Sequence, residues 1–157
     1  MAVAWLGIGT NLGDRGANIE RALRELGTAG RVFETSRIYA SAPVDHADQP
    51  EYWNLAARIS TSLPPVDLLA RLQGIERRMG RIATFRNGPR LVDIDILFYD
   101  DMVMDTPELQ LPHPRSMERA FVLRPLAEIA LDLKDPRSGR RITDAVSDVA
   151  EQIAAPL

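Results

Sequence analysis

There is no cysteine in this 157-residue chain. That absence excludes disulfides, thiolate nucleophiles, cysteine-ligated zinc and iron–sulfur clusters together. Lysine is almost as scarce: Lys134 is the one lysine among 19 basic residues, and the other 18 are arginines. No apolar run approaches the roughly 18 residues that a bilayer span needs, so no membrane association is expected. The opening stretch, Met1 to Gly9, carries no basic segment and reaches Gly7 early, which points away from a secretion signal and toward the cytoplasm. No Gly-x-x-x-x-Gly-Lys-Ser/Thr loop occurs, so any ATP site is not a P-loop, and Gly7-Ile-Gly9 lacks the third glycine of a dinucleotide fingerprint. A net charge of −3 argues against a general nucleic-acid binder.

What is present suits one α+β domain over residues 1–157. A chain of this length buries roughly 68–70% of its unfolded surface and needs no metal or disulfide staple. Arginine grips phosphate bidentately where lysine cannot, so an acidic chain can still hold a local anion pocket.

The chain alternates recognisable elements. Val3–Ile8 reads as a buried strand closed by Gly9-Thr-Asn-Leu-Gly-Asp14. Ile19, Ala22, Leu23 and Leu26 recur with helical spacing between Ala17 and Ala29. Val32–Tyr39 and Tyr52–Thr61 read as strands, separated by a proline-containing acidic loop with His46. In the second of these, Trp53, Leu55, Ala57 and Ile59 share one face, and Tyr52, Asn54, Ala56 and Arg58 the other. Leu68, Leu69, Leu72, Ile75 and Met79 mark a helix that starts at Pro64-Pro65 and stops at Gly80. A basic loop, Arg81–Arg90, then leads into the strand Leu91–Tyr99. The order β-α-β-β-α-β is the split pattern of ferredoxin-like antiparallel sheets, with both helices on one face. A C-terminal helical extension follows, ending in a helix that bears Ile142, Ala145, Val146, Val149 and Ile153.

The chemistry concentrates in Arg86-Asn-Gly-Pro-Arg-Leu-Val-Asp-Ile-Asp-Ile-Leu-Phe-Tyr99. Strand alternation turns Val92, Ile94, Ile96 and Phe98 toward the core and Asp93 and Asp95 together to the other face. Two neighbouring carboxylates repel unless a cation lies between them, and an oxygen-only pair suits Mg²⁺. Arg81, Arg86 and Arg90 flank the pair, so metal and arginine forks meet as a triphosphate requires. His113, between Pro112 and Pro114 and followed by Arg115 and Arg119, forms a second cluster with a phosphate-facing role. Tyr52 and Asn54, near Ser41 and Val44, offer a ring and an amide to a flat heterocycle.

With these residues in view, the chain resembles the 6-hydroxymethyl-7,8-dihydropterin pyrophosphokinase family of folate biosynthesis. Arg86-x-Gly-Pro-Arg90-x-x-Asp93-Ile-Asp95-Ile-Leu97 carries the family signature, supported by Gly9-Thr-Asn11-Leu, Asp48-Gln-Pro-x-Tyr52-x-Asn54, Gln73-x-x-Glu76 and Pro112-His113 with Arg119-x-Phe121. The resemblance implies a ferredoxin-like fold and transfer of pyrophosphate from MgATP to the pterin's hydroxymethyl group, with release of AMP. It implies that Asp93 and Asp95 bind two Mg²⁺ ions, and that Arg81 and Arg90 act with them in catalysis. Gln73, Glu76, Arg81, Arg90, Ile96, His113 and Arg119 would bind ATP. Ser41, Val44, Tyr52, Asn54 and Phe121 would hold the pterin, Phe121 by stacking. The partners expected are these small molecules alone, with no nucleic acid and no membrane, acting on a monomer. The chain departs from the family's usual residues at Ala83, Asn87 and Pro114. Residues 81–90 are expected to act as a lid, closing less fully because Asn87 lacks a large ring. At 157 residues, no fused folate-pathway domain is expected.

Two rival readings share parts of this pattern. A ferredoxin-like module binding RNA or a small ligand would expose aromatics, not carboxylates, on its central strands. A metal-dependent nucleotidyltransferase would use the same carboxylates but attack the α-phosphorus. The reaction products separate them.

Overall fold

The computed structural model describes residues 1–42, 50–80 and 91–157. Its elements are β1 (Ala2–Thr10), α1 (Arg15–Glu25), β2 (Arg31–Thr35), β3 (Tyr39–Ser41), β4 (Tyr52–Thr61), α2 (Pro65–Arg78), β5 (Asp93–Tyr99), the short β6 (Met104–Asp105) and β7 (Gln110–Leu111), α3 (Ala120–Ile129), α4 (Ile142–Asp148) and β8 (Ala154–Pro156). The main sheet runs β5-β1-β4-β3-β8, with β2 also on β4, and every pairing is antiparallel. Counting β2 and β3 as one interrupted strand, the spatial order is fourth, first, third, second. This is the ferredoxin-like arrangement expected from the βαββαβ sequence pattern.

The interruption has a local cause. Ser36 donates its backbone N–H to the Ala56 carbonyl and accepts the Ala56 N–H on its hydroxyl, both at 2.9 Å. A side chain thus replaces one rung of the ladder, and the single expected strand becomes β2 and β3.

Helices α1 and α2 cover one face of the sheet. Leu6 and Ile8 from β1, Leu55, Ala57 and Ile59 from β4, and Ile94 and Ile96 from β5 pack there against Ile19, Leu68, Leu72 and Ile75. Each such aliphatic side chain contributes about 1.5–3 kcal/mol on full burial, so this layer carries much of the stability. Asp14 caps α1 by accepting the Ala17 N–H at 3.0 Å. Gly30 ends the helical turn where a Cβ would run into the Ser60 carbonyl, so the chain reverses there only with glycine.

The C-terminal extension packs the opposite face, where Ala56 and Phe98 meet Leu123, Leu126, Ile142 and Ala145. Two expectations need correction. Phe98 does not share the Ile94–Ile96 face: the register of β1 on β5 steps from Leu6↔Ile96 to Trp5↔Phe98, leaving Leu97 as the extra residue of a bulge. Tyr99 takes the core position in its place. The last helix also ends earlier than its apolar spacing suggests. It stops at Asp148, Ile153 is 81% exposed, and Ala154–Pro156 pairs with β3 instead. Gln152 fastens that tail, its side chain accepting the Ala120 N–H and donating to the Glu118 carbonyl, each at 2.9 Å.

Helix α3 is tied to β3 through Glu128. Its carboxylate accepts the Arg37 backbone N–H at 2.9 Å, the Arg37 Nε–H at 3.0 Å and the Tyr39 hydroxyl. Burial alone would raise the Glu128 carboxyl, but these bonds and the Arg37 charge outweigh it and hold its pKa below the ordinary 4.5. A depressed carboxylate pKa stabilises the fold above the unfolded value, and that contribution disappears as pH falls through the folded value. Glu128→Gln is therefore expected to cost about 1–2 kcal/mol at pH 7 and progressively less below pH ~4.5. Urea unfolding of both proteins at neutral and acidic pH measures this, and a pH-independent difference would contradict it.

Candidate active site

The sheet face toward α3 carries two residue rows across the first three strands. In one, Gly9 of β1 lies between Asp93 of β5 and Asn54 of β4; in the next, Gly7 lies between Asp95 and Ala56. Strand β1 therefore presents bare backbone where its neighbours present side chains. A cleft of about 420 Å³ opens over this floor. Asp93 and Asp95 line it from β5, Ser41, Tyr52 and Asn54 from β3 and β4, and Arg115, Arg119 and Phe121 from the segment entering α3. Both carboxylates thus face as the alternation argument expects, and strand pairing brings the proposed metal and heterocycle groups into one cavity.

The heterocycle side is ordered by hydrogen bonds. Ser41 and Asn54 are only 6% and 7% exposed, and Asn54 Nδ2 donates to Ser41 Oγ at 2.9 Å. The Arg119 guanidinium lies 5.4 Å from the centre of the Phe121 ring, so a cation and an aromatic face enter the cleft as neighbours.

His113 is half-buried beside the cleft. Its backbone N–H donates to the Leu97 carbonyl at 2.9 Å, docking this loop on the outer edge of β5. Burial lowers the imidazole pKa from 6.5; the Asp95 charge opposes that, and Arg119 and Arg115 reinforce it. The ring is thus neutral at neutral pH. Nδ1 accepts the Arg115 N–H at 3.3 Å, which assigns the ring proton to Nε2 and makes that atom a donor.

Not every expected residue joins this cavity. Ile96 and Glu76 are buried on the α2 side of the sheet, where Glu76 accepts the Ile94 N–H at 3.0 Å, and Gln73 is exposed on α2. Arg81, Arg86, Arg90 and Val44, together with Ala83, Asn87 and His46, lie outside the described residues. The Gly9-Thr-Asn-Leu motif has a structural part: the Thr10 hydroxyl donates to the Leu91 carbonyl at 2.5 Å, fastening β5's approach to β1. Sequence reasoning missed the floor glycines, and it placed Arg115 in the His113 cluster without counting it among the ATP-binding residues. The glycines were legible from their alternate positions in one strand, a mark of close approach.

Among the described residues, no three His, Asp or Glu side chains group around a common point. The two carboxylates still fit Mg²⁺, which takes one or two protein carboxylates and completes its shell with water and phosphate oxygens. Carboxylates suited to a hard cation, arginines suited to phosphate and an aromatic suited to a heterocycle share this cleft, the set that an α+β enzyme acting on a nucleotide phosphate chain beside a flat second substrate would use.

Known proteins narrow the class. The sequence model of the 7,8-dihydro-6-hydroxymethylpterin-pyrophosphokinase family matches residues 5–131, and the chain belongs to that family. It is 39% identical over 145 residues to the 2-amino-4-hydroxy-6-hydroxymethyldihydropteridine pyrophosphokinase of Pseudomonas aeruginosa, covering 91% of this chain and 89% of that one. The enzyme of the same name from Bacillus subtilis is 43% identical over 129 residues, covering 81% and 77%. The folic acid synthesis protein FOL1 of Dictyostelium discoideum is 42% identical over 134 residues, 85% of this chain and 20% of that protein. The chain thus spans about one fifth of such longer folic acid synthesis proteins. A Plasmodium falciparum HPPK-DHPS structure superposes with a TM-score of 0.80 over 96% of this chain and 46% of that one, at 16% identity, a likeness of fold. No helix among the described residues is long and apolar enough to cross a membrane.

Proposed function

We propose that this chain transfers the β,γ-pyrophosphoryl group of MgATP to the hydroxymethyl oxygen of 6-hydroxymethyl-7,8-dihydropterin. The observation that carries the reading is the single cleft in which Asp93 and Asp95 face Ser41, Tyr52 and Asn54 across the bare backbone of Gly7 and Gly9. The hydroxymethyl oxygen bonds to the β-phosphorus, the bond from that phosphorus to the bridging oxygen of the α-phosphate breaks, and AMP leaves with that oxygen. The hydroxyl proton passes to solvent.

Asp93 and Asp95 hold Mg²⁺, as two ions in this reading, and the metal supplies charge neutralisation for the phosphate oxygens. Arg119, Arg115 and the Nε2–H of His113 grip phosphate oxygens, with Arg81 and Arg90 completing the set from outside the described residues. Phe121 and Tyr52 hold the pterin ring, and Asn54 with Ser41 reads its polar edge, joined by Val44. Of the remaining nucleotide candidates, Glu76 and Ile96 act from behind the sheet, Glu76 by holding β5 in place, and Gln73 is the exposed one on α2. Catalysis is alignment and electrostatic stabilisation, which is what phosphoryl transfer chiefly requires. Residues 1–157 act as one domain and as a monomer, in the cytoplasm, where ATP and Mg²⁺ are abundant.

Product analysis with ATP, Mg²⁺ and the reduced pterin tests the proposal. AMP with the pterin pyrophosphate is expected. Release of free pyrophosphate would mean nucleotidyl transfer, and no turnover would mean a binding module.

A further inference from the structure

We infer that Gly9 is a positioning residue for the heterocycle site, acting through Asn54. The inference rests on the pterin reading above. Gly9 lies in mid-strand, paired with Asp93 on one side and Asn54 on the other. Its backbone is ordinary extended strand, unlike Gly13, Gly80 and Gly139, whose φ values are positive. No conformational demand therefore explains a glycine here. Space does: a Cβ at Gly9 would sit 2.8 Å from Asn54 Oδ1, while the nearest backbone atom, the Trp53 carbonyl oxygen, is 3.9 Å away.

That contrast decides how the fold would respond. The backbone has room for a methyl group, and the one atom in the way is the tip of a rotatable side chain. Asn54 is nearly buried and held by its bond to Ser41, so it cannot yield without breaking that bond. Rotation would also turn the amide away from the orientation in which it meets a heterocycle edge. Bare backbone at position 9 thus fixes which way Asn54 presents its donor and acceptor, and with it the edge pattern that the cleft accepts.

Calorimetry of pterin and of a non-hydrolysable ATP analogue, each alone, with steady-state KM for both substrates, reads this in Gly9→Ala, Asn54→Ala and the double variant. Gly9→Ala is expected to weaken pterin binding about 10- to 100-fold, the usual consequence of losing a buried hydrogen-bonding partner. ATP-analogue affinity should hold within about twofold, and the loss should fall on the pterin KM more than on kcat. The thermal midpoint should fall by only a few degrees, because the lost Asn54–Ser41 bond is partly offset by the restriction that alanine places on the unfolded chain. In the Asn54→Ala background, Gly9→Ala should add nothing, since the two act as one unit. Additive losses, equal weakening of both ligands, or a collapsed midpoint would overturn the inference. So would unchanged pterin binding in Gly9→Ala beside weakened binding in Asn54→Ala. A wild-type protein that binds no pterin would instead overturn the functional reading beneath it.

Discussion

Asp95→Ala is expected to lower turnover at least about 10³-fold, equivalent to about 4 kcal/mol of lost transition-state stabilisation, with the fold intact. Asp95 is exposed on the cleft side of β5, and its neighbours Ile94 and Ile96 carry the core packing. Removing it deletes one of two adjacent negative charges, so stability should hold or rise slightly. Turnover should collapse because the cation that neutralises the phosphates loses a ligand. Asp95→Asn keeps the shape and removes only the charge, and should fall nearly as far. Steady-state rates across a Mg²⁺ titration, beside urea unfolding of each variant, provide the check. Retention of activity at millimolar Mg²⁺ would sink the metal assignment. Loss of the fold in both variants would instead show that the carboxylate belongs to the structure.

Phe121→Ala carries the next largest expected effect, a pterin affinity lower by about 10- to 100-fold. An aromatic face contributes about 0.5–1.5 kcal/mol beyond its buried area when it meets another ring, and the area adds to that. The residue is half-buried at the start of α3 and packs on the Leu123–Ile142 layer, so a stability loss of about 1–2 kcal/mol accompanies it. The neighbouring Arg119 loses the ring beneath it but keeps its charge, so ATP-analogue affinity should change by less than about threefold. Calorimetry with each ligand separately distinguishes a lost stacking surface from a disturbed cleft. Equal losses for both ligands would remove Phe121 from the pterin site.

The order of elements, the antiparallel ferredoxin-like sheet and the facing of Asp93 and Asp95 were legible in the sequence. All three depend on local periodicity and on the alternation of a strand, which neighbours in sequence determine. The bounds of β4, Tyr52–Thr61, and the division of its side chains between two faces followed from the same rule. Where a distant partner intervened, the pattern misled. Phe98 changed faces because β1 imposed a bulge on β5, and the helix read through Ile153 gave way because the open edge of β3 offered Ala154–Pro156 a ladder.

The site divides along the same line. Sequence identified the carboxylates, His113, Arg119 and the Tyr52–Asn54 face as separate clusters, each from its own chemistry. Only the tertiary structure made them one cavity. Asp93 and Asn54 are far apart in sequence, and they flank the same glycine because β1 pairs with both β5 and β4. Separating Glu76 from the cleft was also a tertiary matter, since only packing shows that α2 lies behind β5, whereas alternation alone had already turned Ile96 away from the carboxylates. Local periodicity determined which way each side chain of a strand would face; the order in which strands pair, an energy shared across the whole chain, decided which of them would meet.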